Sequence, residues 1–168
     1  MLKTNFIYEE NNSLATPSRS LETPIPPKEF NRSANVLIID DDVDSALLVE
    51  SVFAHLGCQT TCSLSSDEAR RRLNSLKADF IILDWCLDHQ IEASQIISQC
   101  TQTFGKFDKK IGHGPRRKPK IITYSSLNEK EIEPLQSPYF QHIDHWQKPI
   151  SHRELLSRVL HLLQKTGP

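Results

Sequence analysis

Long apolar runs are missing from this 168-residue sequence. No stretch approaches the roughly 18 residues that a membrane span needs, and the start, Met1 to Glu10, has no apolar segment behind basic residues to mark a secretory leader. An excess of one charge is missing too. The 20 Lys and Arg against 21 Asp and Glu leave -1, which excludes nucleic-acid binding driven by overall charge and confines electrostatic recognition to local patches. The 4 cysteines (Cys58, Cys62, Cys86, Cys100) have neither the C-x-x-C spacing of a zinc site nor the density of a disulfide scaffold. They are expected as reduced thiols in or near the core. The length leaves room for one ordinary domain and some unstructured sequence, not for two domains. A cytoplasmic location with no membrane contact is the expectation.

Residues 1–34 carry Pro17, Pro24, Pro26 and Pro27 among Ser, Thr, Asn and Glu, with no period of 2 or 3.6, and are expected as a disordered tail. Its apolar residues Phe6, Ile7, Tyr8 and Phe30 leave two readings open, a short docking element or a passive extension. From Asn35 to residue 165, short apolar runs alternate with amphipathic segments, the pattern of βαβ units around a parallel sheet. The runs Val36 to Ile39, Gln59 to Leu64, Phe80 to Leu83, Lys120 to Tyr124 and His142 to Trp146 predict five strands. Helices are predicted over Val43 to Leu56, with apolar face Ala46, Leu47, Val49, Phe53 and Leu56, and after the capping patterns Ser65/Glu68 and Ser151/Glu154. Ile91 to about Thr103 reads as another helix, and Asn128 to Gln136 as a weak one interrupted by Pro134. The fold class is therefore α/β, a doubly wound five-stranded parallel sheet. Residues 105–120 hold seven basic residues against Asp108, and with three glycines and two prolines read as a flexible basic insertion. It is either a solvated loop or a contact patch for an acidic protein or phosphate groups.

The chemistry gathers at strand ends. The first strand runs into Asp40, Asp41 and Asp42, and the third into Asp84. In a parallel sheet these ends lie on one edge, and carboxylates brought together there repel unless a cation sits among them. Oxygen ligands of this kind suit Mg²⁺. Ser125 after the fourth strand offers a hydroxyl donor, and Lys148 after the fifth a mobile ammonium. A phosphoryl group in transfer needs a metal, a cation and a donor in fixed positions, with a carboxylate, here Asp84, as nucleophile. Singly, each element has a plain explanation: a helix cap, a strand-end hydroxyl, a surface lysine. Four in this order at four strand ends are far more specific.

Over about Asn35 to Gln164 the sequence resembles the receiver domain of bacterial two-component response regulators. The resemblance is carried by Val36-Leu37-Ile38-Ile39-Asp40-Asp41-Asp42, Phe80-Ile81-Ile82-Leu83-Asp84, Ile121-Ile122-Thr123-Tyr124-Ser125-Ser126 and Trp146-Gln147-Lys148-Pro149. It implies a flavodoxin-like topology and a phosphoacceptor signalling domain, not a turnover enzyme. Asp84 would be phosphorylated by the phosphohistidine of a histidine kinase or phosphotransfer protein. Asp41 would hold Mg²⁺ directly and Asp40 through water, with Asp84 and the backbone carbonyl of Cys86 as further ligands. Lys148 would pair with the phosphoryl group and Ser125 would move to hydrogen-bond it. Asp42 would be a helix-start residue. Output would pass to a downstream protein target with no direct DNA binding, since few residues follow Gln164.

The sequence departs from the family in two places. The Pro-Gly pair usual after the acceptor is replaced by Trp85-Cys86-Leu87-Asp88-His89-Gln90-Ile91-Glu92, where Asp88 or Glu92 could alter metal affinity. The switching aromatic is replaced by His145, which brings protonation into the switch. Two other readings follow. One is a degenerate receiver that binds partners without phosphorylation. The other is a phosphohydrolase similar to the haloacid dehalogenase superfamily, using Asp40-x-Asp42, Ser125 and Lys148.

Overall fold

The computed structural model describes residues 33–166 apart from 76, 89–90 and 112–117. The N-terminal tail up to residue 32, with Phe6, Ile7, Tyr8 and Phe30, lies outside the described residues. Strands β1 (Asn35–Ile39), β2 (Gln59–Ser63), β3 (Phe80–Leu83), β6 (Lys120–Ser125) and β7 (Gln141–Gln147) form one parallel sheet in the order β2-β1-β3-β6-β7. A two-residue hairpin, β4 (Cys86–Leu87) with β5 (Ile91–Glu92), stands apart from it.

Alternation along β1 sorts the core into two layers. Val36 and Ile38 face α1 (Val43–His55) and α4 (His152–Thr166), while Leu37 and Ile39 face α2 (Ser66–Ser75) and α3 (Ala93–Ile111). Both sets are almost fully buried, as a parallel sheet covered on both faces requires. On α1 the buried residues are Ala46, Val49, Val52 and Phe53. Leu47, expected on that face, is 53% exposed because it lies about 100° around the helix from Ala46.

The caps form largely as read. Asp42 caps α1, accepting from the amides of Asp44 (3.0 Å) and Ser45 (3.4 Å). Ser65 Oγ accepts from Glu68 N, while the Glu68 carboxylate turns back to Leu64 N rather than to Ser65. Ser151 Oγ accepts from Glu154 N, but Glu154 itself pairs with Arg158.

Three expectations are corrected. Ile91 and Glu92 are strand, not helix: the Trp85 carbonyl accepts from Ala93 N at 2.8 Å, and buried Trp85 and Leu87 pin the turn to the α2–α3 layer. Helix α3 then runs on through Ile111, so the first part of the predicted basic loop 105–120 is helical backbone; 112–117 lie outside the described residues. The weak helix over 128–136 is reduced to one 3₁₀ turn, Glu129–Glu131. Pro134 and Pro138 deny the donors a longer helix needs, and the extended chain instead buries Ile132, Leu135 and Phe140 against the α2–α3 layer. Among the described residues no helix is long and apolar enough to cross a membrane.

Candidate functional site

Strand register sets the site. Ile39 is level with Leu83, so Asp40 and Asp84 both emerge one residue beyond the pairing, and Leu83 is level with Thr123, which carries Ser125 to the same edge. Ser125 is level with Gln147, and the Ser125 carbonyl accepts from the amide of the next residue, Lys148, at 2.7 Å. The Lys148–Pro149 peptide is cis.

At this edge the ammonium of Lys148 bridges two carboxylates, at 2.7 Å from Asp40 Oδ2 and 2.9 Å from Asp84 Oδ2. Asp41 completes an acidic group in which one oxygen from each of Asp40, Asp41 and Asp84 lies within 4.8 Å of the others. Asp40, 1% exposed, accepts from three donors: Oδ1 from Asp42 N, and Oδ2 from Ser45 Oγ and Lys148. Asp41 Oδ2 accepts from the amide of Asp88, and Asp84 Oδ1 from the amide of Cys86 at 3.3 Å. Asp88 has φ 52, and its carboxylate receives the Ser66 amide at the start of α2. The left-handed turn thereby ties the loop after Asp84 to both Asp41 and α2.

Burial, with the neighbouring Asp40 charge, lifts the Asp84 pKa above its ordinary value despite Lys148. Burial also works against the charged form of Lys148, but hydrogen bonds to Asp40 and Asp84 outweigh it and its pKa stands above the usual lysine value. We take Lys148 as charged and Asp84 as the group held at an energetic disadvantage. Three carboxylates against one ammonium leave a surplus of negative charge, which a divalent cation would relieve.

The structure does not bring every expected residue into this cluster. Ser125 is buried at the end of β6, and its Oγ accepts from Leu127 N at 3.3 Å. His145 points elsewhere: Nε2 lies 3.0 Å from the Leu127 carbonyl, and Nδ1 lies 3.0 Å from Thr123 Oγ1, which also contacts His142 Nε2 at 3.2 Å. Because a carbonyl only accepts, Nε2 of His145 carries a proton. Both imidazoles reach Thr123 because a bulge inserts Ile143 between them; in a regular strand residues three apart face opposite sides. Burial, with the nearby His145, lowers the His142 pKa.

Asp42 is spent on the α1 cap, so the Asp40-x-Asp42 pair that the phosphohydrolase reading needs is not assembled. Cys86, expected near the core, is exposed on the hairpin because β4 lies outside the main sheet. Sequence reasoning missed Ser45, Thr123, Tyr124 and His142. Tyr124, immediately before Ser125 on a buried strand, was the most accessible signal.

The fold is that of the response regulator receiver domains. A Francisella response regulator receiver domain superposes with a TM-score of 0.55 at 24% identity, over 79% of this chain and 98% of that one. A two-component response regulator from Clostridium difficile gives 0.58 at 19%, over 79% and 98%. The chemotaxis response regulator CheY4 of Vibrio cholerae gives 0.57 at 15%, over 79% and 100%. No family model matches the sequence, and neither does any curated protein.

Proposed function

We propose that residues 35–165, with 105–120 as a basic insertion, act as a receiver that accepts a phosphoryl group on Asp84 and signals through protein contacts. The donor is the phosphohistidine of a histidine kinase or phosphotransfer protein. The observation that carries this is the Lys148 ammonium held between Asp40 and Asp84, with Asp41 alongside.

A carboxylate oxygen of Asp84 attacks phosphorus, the P–N bond to the donor imidazole breaks, and the imidazole leaves with the bonding pair. Lys148 stays with the transferred group, offsetting charge on its oxygens. Ser125, freed from Leu127 N, turns its hydroxyl toward the phosphoryl oxygen. The donor set is all oxygen and carries surplus negative charge, which fits Mg²⁺: Asp41 and Asp84 would hold it, with the Cys86 carbonyl, and Asp40 through water because its oxygens are already engaged. Bound there, Mg²⁺ would supply charge neutralisation for the phosphoryl oxygens. The domain then catalyses no more than its own phosphorylation and dephosphorylation, and a downstream protein reads the result.

Incubation with Mg²⁺ and a small phosphodonor, read by intact mass, should add one phosphate that is absent in Asp84→Asn. No adduct at any Mg²⁺ concentration would favour a phosphorylation-independent interaction module. That reading draws on the hairpin after Asp84 and on His145, hydrogen-bonded at both ring nitrogens.

A further inference from the structure

Behind the acidic cluster lies a second layer that the reaction outlined above does not use. Tyr124 is buried, with 3% exposure, on the strand that ends in Ser125. Lys148 Nζ lies 4.8 Å from the centroid of its ring. Ser45 sits against the Tyr124 hydroxyl, and its Oγ donates to Asp40 Oδ2, the oxygen that also receives Lys148. Burial raises the Tyr124 pKa above its ordinary value, so the hydroxyl stays protonated. Tyr124 therefore touches the site twice, through its ring face on the ammonium and through Ser45 on the carboxylate. An ammonium on a flexible four-carbon stem gains most from such a support, because its own geometry fixes little.

We propose that Tyr124 and Ser45 are positioning residues that hold Lys148 and Asp40 in the arrangement needed for phosphoryl acceptance at Asp84. The inference rests on the function proposed above. Tyr124→Phe keeps the ring and removes the hydroxyl, Ser45→Ala removes the bridge, and Tyr124→Leu removes ring and hydroxyl together.

With the full chain, a small phosphodonor and saturating Mg²⁺, Tyr124→Phe and Ser45→Ala should each slow phosphate uptake about fivefold. The double variant should be no slower than the slower single one, since both changes break one bridge. Tyr124→Leu should be slower by about twentyfold. Unchanged rates, or effects of the two single changes that multiply, overturn the inference, and melting curves of each variant separate this from lost folding. A second measurement needs no phosphate: the Lys148 side-chain proton resonances should be shifted upfield by the ring, retained in Tyr124→Phe and lost in Tyr124→Leu. Lys148 resonances at random-coil positions in the wild type overturn the inference. A wild-type chain that takes no phosphate but shows the shifted resonances overturns the proposed function and leaves the positioning of Lys148 established.

Discussion

The fold disfavours the charge of Asp84, and this has a sign that can be checked. Its folded pKa is raised, so between the ordinary carboxylate value and the raised one the folded state holds more protons than the unfolded. Its contribution to stability therefore grows as pH falls through the raised value and is lost as pH rises. Without divalent cations, Asp84→Asn should melt higher than the wild type at neutral pH, with the gap closing as the solution is acidified. Added Mg²⁺ should close it at neutral pH by stabilising only the wild type. Thermal melts across pH, with and without Mg²⁺, measure both. Asp40, Asp41, Asp84, Ser125 and Lys148 were legible in the sequence because each stands at the end of a recognisable strand. Tyr124 and Ser45 were not, because what distinguishes them is contact with Lys148 and Asp40 across the fold.

Among the elements, the hairpin after Asp84 departs furthest from expectation. The sequence there contains neither proline nor glycine, and nothing local announces a turn with positive φ at Asp88. Strands and caps, by contrast, were readable because their signals are local: alternation along β1, Asp42 before α1, Ser65 before α2. The hairpin depends on Trp85 and Leu87 finding the α2–α3 layer, a tertiary event. Asp88 does two jobs there, adopting the left-handed backbone and accepting from Ser66 N. Asp88→Asn keeps both, Asp88→Gly keeps only the backbone, and Asp88→Ala keeps neither. Stability should fall in that order, with Ala about 2 kcal/mol below wild type from the left-handed penalty plus the lost acceptor. Chemical denaturation gives the ranking, and a Gly variant less stable than Ala would refute the two-part account.

At the scale of the whole molecule, the parallel sheet was legible from its five apolar runs, whereas its order β2-β1-β3-β6-β7 is set by pairing between distant segments. The bulge in β7 was not, because Ile143 is an ordinary strand residue that only the pairing with β6 marks as extra. Deleting Ile143 should restore a regular ladder and carry His142 off the Thr123 side. Its imidazole resonances would then lose their hydrogen-bonded shifts while far-ultraviolet circular dichroism stays close to wild type.

That irregularity has another consequence. Among the described residues β7 is the last strand of the sheet, and its outer side faces no partner strand. A straight outermost strand is an open invitation for a stranger's chain to zip on. One supernumerary residue, with His142, Asp144 and His145 around it, makes this border crooked and polar, so the geometry that gathers two imidazoles at Thr123 also guards the molecule against polymerising through its flank.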